Sequence, residues 1–104
     1  MQGVFNSIRT ERRRQDKKWG SYHSHPNGTC DTPERVAYME MAKAVCQYAL
    51  GKDLTWFNIL REEVAEVGAS PNDLELRKEL VQVAAVAVAW IEALDRQHRP
   101  GLRQ

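Results

Sequence analysis

The chain has 104 residues, 42% of them hydrophobic and 28% charged, and 15 Lys and Arg against 14 Asp and Glu leave a net charge of +1. That length supports a single core, hence one domain over residues 1–104, and the mixture is ordinary for a globular protein rather than a fibrous or disordered one. A charge so near zero excludes any global pull toward nucleic acid or an anionic membrane, so a partner can be steered only by local patches.

A first helix is expected from about Val4 to Lys18, with Phe5, Ile8 and Trp19 on one side and a stop near Gly20. The following "GSYHSHPNGTCDTP" is dense in Gly, Pro, Asn and Ser and reads as an ordered loop or lid. Asp31 or Thr32 is the N-cap of a second helix, with Pro33 at its first position. That helix turns Val36, Met39, Ala42, Val45 and Ala49 inward, and Gly51 follows its end. Asp53 or Thr55 caps a third helix, which begins at Trp56 and ends near Gly68. "SPND" opens the fourth with Ser70 as N-cap, and the helix continues to about His98, where Pro100 and Gly101 stop it. No segment alternates as a strand does, so the fold class is an all-α bundle of about four helices.

The run "LVQVAAVAVAWI" (Leu80 to Ile91) is shorter than the roughly 20 residues that span a bilayer, which argues against a membrane partner. A helix apolar on most sides must still be covered, and a second copy is the expected cover, making a homo-oligomer, dimer or tetramer. Cys30 and Cys46 form no C-x-x-C pair and no disulfide framework, which suits a reduced, cytoplasmic setting. No apolar run with a cleavage site marks "MQGVFNSIRTERRR" as a secretory signal. His23, His25 and Cys30 lack the fourth ligand and the spacing of a zinc site.

The stretch "WFNILREEVAEVGA" carries an apolar stripe and three glutamates together. With Trp56 set at 0°, Leu60, Val64 and Val67 centre the stripe near about 40°, while Glu63 falls at about 340°, Glu66 at about 280° and Glu62 at about 240°. On the fourth helix Glu79 shares its face with Val83, Val86 and Trp90, and Gln82 lies one turn along. A half-buried carboxylate without a cation costs several kcal/mol unless it is protonated or paired, and two facing each other repel. Mg²⁺ or Mn²⁺ removes that conflict, because these ions take oxygen ligands from a few carboxylates plus substrate phosphates. The competing reading is a solvated face for Glu62 and structural salt bridges for Glu63 and Glu79.

The pattern E-x-x-E (Glu63, Glu66), followed after an interval by Glu79, resembles the all-α nucleoside triphosphate pyrophosphatases of the MazG-like superfamily. "ERRRQDKKWG", "HPNGT", "TWFNILREEVAEV" and "ELVQVAAVAVAWIEALDR" look like the small MazG-like proteins of bacteria and their phages. Most of the chain is covered. The resemblance implies hydrolysis of a (d)NTP to the (d)NMP and pyrophosphate, with Mg²⁺ or Mn²⁺, in the cytoplasm of a bacterial or infected cell. Glu62, Glu63, Glu66 and Glu79 are the implied catalytic and metal residues. Gln82, a weaker ligand, stands where the family's second motif has an aspartate. It removes one negative charge, which keeps open an alternative: a helical oligomeric module that binds nucleotide or metal with weakened turnover.

Substrate contacts are expected from the first helix and the loop. Lys17 and Lys18, within a run of six cations, suit the β- and γ-phosphates. Trp19 suits stacking on a base, with bundle core as its other reading. Gln15 and Asp16 suit a base edge, and Asp16 accepting from guanine would favour a purine. Asn27 and Thr29 are polar candidates in the loop. Nucleic-acid binding through the basic helix is disfavoured because no basic excess exists elsewhere.

Overall fold

The helix ends follow from local chemistry. Thr32 Oγ1 accepts from the Arg35 N–H at 3.3 Å and Pro33 fills the first helical position of α2 (Pro33–Tyr48). Thr55 Oγ1 accepts from the Asn58 N–H at 3.1 Å and opens α3 (Trp56–Gly68). At α4 (Asp73–His98) the capping oxygen is Asn72 Oδ1, which takes the Glu75 N–H at 2.9 Å. Ser70, the expected cap, is buried instead and donates its hydroxyl to the Glu66 carbonyl at 2.9 Å, sealing the end of α3. Two more residues of turn are the reason: two polar residues that can cap stand close together, and the later one faces the orphan amide. α1 (Gln2–Trp19) closes on Gly20, whose positive φ of 90° lets its N–H reach the Asp16 carbonyl at 2.7 Å.

This computed structural model describes residues 2–20, 24–49 and 53–98. Within them the protein is all-α, four helices with no strand. Gly51, His23, Pro100 and Gly101 lie outside the described residues. The chain divides into two compact units: Gly28–Ala87, holding α2, α3 and the first part of α4, and Met1–Asn27 with Val88–Gln104.

In the Gly28–Ala87 unit, α2 packs on α3 through small side chains. Ala42 and Cys46 are buried on α2 and Ala65 on α3, with Ala69 just after it. The Cys46 thiol donates to the Asn58 carbonyl at 3.2 Å across the pair. This differs from the expected stripe. Val64 is 50% exposed and Trp56 36%, while Ala65, at about 180° on the same wheel, is buried. Hydrophobicity ranks the large residues as core, but close approach of two helix backbones selects the small ones. The loop residues are tied to the end of α3: Cys30 N–H donates to the Gly68 carbonyl at 3.2 Å. Arg35 Nη1 donates to the carbonyls of Gly28 at 2.5 Å and Gly68 at 3.2 Å. That part behaves as an anchored loop.

In the other unit, Val4 is the buried residue of α1. Phe5, Ile8 and Trp19, expected on one side of the helix, are 45%, 37% and 55% exposed. Among the described residues no helix is long and apolar enough to cross a membrane.

Candidate metal centre

Glu63 and Glu66 stand one turn apart on α3, and Glu79 projects from the second turn of α4. The connection between these helices is short, and its geometry is fixed by the Ser70 and Asn72 bonds described above. One carboxylate oxygen from each of Glu63, Glu66 and Glu79 comes within 4.8 Å of the others. All three side chains are partly buried. Glu63 Oε2 and Glu79 Oε2 are inaccessible to water and have no hydrogen-bond partner. A buried acceptor left in that condition is costly, and a buried charge more so.

The electrostatics register the cost. Burial first, then the charges of Glu62 and Glu79, push the Glu63 carboxyl above its usual range. Glu66 is pushed up to about 7, by burial, by a hydrogen bond with the Glu79 carboxyl and by the charges of Glu63 and Glu79. Lys43 on α2 opposes that rise, its Nζ lying 3.9 Å from Glu66 Oε1. Carboxyls that share a proton in this way are held together by it, since the fully ionised set would repel.

The donor set fits a hard cation. Two oxygens bound to one Mg²⁺ lie at most about 4.2 Å apart, so the present spacing is a small side-chain rotation from coordination. Oxygen ligands only, with two carboxylate oxygens unclaimed by protein, suit a hard cation rather than a soft-ligand metal. Glu66 and Glu79 also line a groove of about 270 Å³ with Met39, Lys43, Ser70 and Glu75.

Other expected residues are placed differently. Glu62 is partly buried beside the cluster, and its charge acts on Glu63. It also faces Cys46, whose thiol is pushed up by burial and then by Glu62. Gln82 is exposed and lines a neighbouring groove with Leu74, Glu75, Arg77, Lys78 and Val81. Thr29 belongs to the same unit as the glutamates. Gln15, Asp16, Lys17, Lys18, Trp19 and Asn27 belong to the other. There, Arg12 donates to Gln15 Oε1 at 2.8 Å and to Asp16 Oδ1 at 2.9 Å, so these two polar side chains are engaged within α1. Lys17 and Lys18 are exposed, and Lys18 Nζ sits 5.0 Å from the centre of the Trp19 ring. Asn27, His25 and Cys30 are exposed.

Lys43 is the residue that sequence reasoning missed. A signal existed: "MEMAKAVC" holds one cation between Ala42 and Cys46, the two residues that α2 buries, so its stem had to run along a packed face. Compared with known protein families, curated proteins and solved structures, the chain matches none of them.

Proposed function

We propose that the protein is a divalent-metal-dependent nucleotide pyrophosphohydrolase, converting a (d)NTP to the (d)NMP and pyrophosphate as a homo-oligomer in the cytoplasm. The observation that carries the reading is the convergence of Glu63, Glu66 and Glu79, of which Glu63 and Glu79 each keep a buried oxygen without a partner. Structural salt bridges, the competing explanation, would have put a guanidinium or ammonium on each, yet among the described residues the cation bridged to this trio is Lys43, on Glu66. The sequence resemblance to MazG-like enzymes supplies the reaction.

Glu63, Glu66 and Glu79 would hold Mg²⁺ or Mn²⁺, with Glu62 at the margin. Bound there, such an ion neutralises polyphosphate charge and lowers the pKa of water. The chain's own residues do the rest. Glu62, beside the three ligands, takes the proton of the attacking water. Exposed Leu74, Leu80 and Val81 on α4 support a second copy as partner.

Turnover of a nucleotide panel with Mg²⁺ or Mn²⁺, followed by pyrophosphate release, tests the proposal. Glu63→Gln and Glu79→Gln should abolish release with helical content intact; release that survives both substitutions sinks the assignment. The position of Gln82, exposed in the neighbouring groove, favours a second reading, a binding module with weakened turnover. Tight Mn²⁺ and nucleotide binding without pyrophosphate release would select it.

A further inference from the structure

Lys43 stands on α2, and its ammonium lies 3.9 Å from Glu66 Oε1 in the acidic cluster. Its side chain is 41% exposed, whereas that of Glu66 is 19% exposed. Lys43 is also the one cationic side chain among the residues lining the groove of Met39, Glu66, Ser70, Glu75 and Glu79. An ammonium on a flexible four-carbon stem is well suited to changing partners, since it binds as a point charge and needs no fixed fork geometry.

Resting on the metal-centre reading above, we propose that Lys43 is an exchangeable counter-cation: it neutralises Glu66 while no metal is held, and yields Glu66 to the metal to bind a phosphate group of the ligand in the groove. The two roles have opposite signs. Before the metal arrives, the ammonium competes for Glu66 and repels a divalent ion. Once the metal is in place, Glu66 is satisfied, and the 3.9 Å ion pair has no further reason to persist. The freed charge then lies at the wall of the groove, where a phosphate bridging to the metal would sit within its reach. A merely structural lysine would move metal and ligand affinity together, through the fold.

The test is a pair of binding measurements on the full chain, wild type, Lys43→Met and Lys43→Arg. Mn²⁺ affinity is read from the paramagnetic signal of the free ion. Affinity for an α,β-methylene nucleoside triphosphate, which cannot be cleaved at that bond, is read by calorimetry at saturating Mn²⁺. Lys43→Met should bind Mn²⁺ about tenfold more tightly and the analogue about tenfold more weakly, while Lys43→Arg stays near wild type in both. Wild-type Mn²⁺ binding with Lys43→Met unchanged, or with both affinities moved in one direction, overturns the role of Lys43 and leaves the metal centre standing. Absence of Mn²⁺ binding by the wild type overturns the metal centre and the role of Lys43 with it.

Discussion

Glu11 on α1 meets Arg14 at 2.6 Å, and Arg12 meets Asp16 at 2.9 Å, whereas Glu63 Oε2 on α3 and Glu79 Oε2 on α4 meet no donor at all. The two regions handle the same chemistry in opposite ways. On α1 the hydrogen bond from Arg14 holds the Glu11 carboxyl below its usual range. On α3 burial and like charge drive Glu63 and Glu66 upward. Charge density is high in both places, so density does not distinguish them. What distinguishes them is whether the sequence supplies a partner within one helical turn. The pairs on α1 are satisfied at i+3 and i+4. The glutamates of α3 and α4 are brought together by tertiary structure, and Glu63 and Glu79 each keep one buried oxygen without a partner, a condition that concentrates at functional sites.

The contrast is broken most forcefully at Glu79. Glu79→Gln removes a ligand and a repelling charge in one step. Mn²⁺ affinity should fall by at least about a hundredfold, comparable to the loss of a metal ligand or its support. The metal-free protein should instead gain on the order of 1 kcal/mol, raising its unfolding temperature by about 4–8 °C. Titration with Mn²⁺ and a thermal melt in chelator check the two halves. A variant both weaker for metal and less stable would mean that Glu79 is a structural residue.

Next in size is the pH dependence. Glu66 ionises at about 7 in the folded chain against its ordinary value of 4.5, so between those values the folded state binds more protons than the unfolded one. Stability must then fall as pH rises through that window, and Glu63, shifted the same way, adds to the fall. Mn²⁺ binds the ionised carboxylates and should abolish or reverse the slope. Thermal melts from pH 4.5 to 7.5, with chelator and with Mn²⁺, read it directly. A metal-free melting temperature that climbs over this range would show that the carboxyls are not strained by one another.

Smaller still is the cap that aims Glu79. Asn72→Ala removes the acceptor for the Glu75 N–H and should cost about 1 kcal/mol. Ser70→Ala, which leaves the Glu66 carbonyl without the serine hydroxyl, should cost less, because a carbonyl at a helix end retains other partners. Equal losses would mean that the sequence expectation of Ser70 as cap was nearer the energetics than the bond lengths suggest.

The helices were legible because their signals are local. Thr32 with Pro33, Thr55 ahead of Trp56 and Gly20 behind Trp19 each act within a turn, and each is where its residue type leads one to look. The angular position of Glu63 and Glu79 against apolar residues was legible for the same reason, since helical periodicity fixes which residues share a face. Burial was not. Ala65 and Ala69, rather than Trp56 and Val64, are buried, because which face is covered depends on a neighbouring helix that periodicity does not name. Lys43 was missed for that reason too. Its partner lies on another helix, and no spacing within α2 points to Glu66.

The smallest expected effect is on α1, and it is the sharpest control. Arg14→Ala removes the shortest ion pair described, 2.6 Å to Glu11, from side chains that are 69% and 48% exposed. Water and salt already screen both charges, and holding two long side chains in one geometry costs conformational entropy that the substitution returns. The Glu11 carboxyl should drift back up toward its ordinary range, since the Arg14 hydrogen bond is the main cause of its depression. The melting temperature should not move measurably, at low or high salt, and Mn²⁺ affinity should be unchanged. Short contacts would thus mark the quiet region and missing contacts the active one. A clear loss of stability in Arg14→Ala would remove that distinction, because pairing on α1 would then be part of what holds the fold rather than a consequence of a solvated helical face.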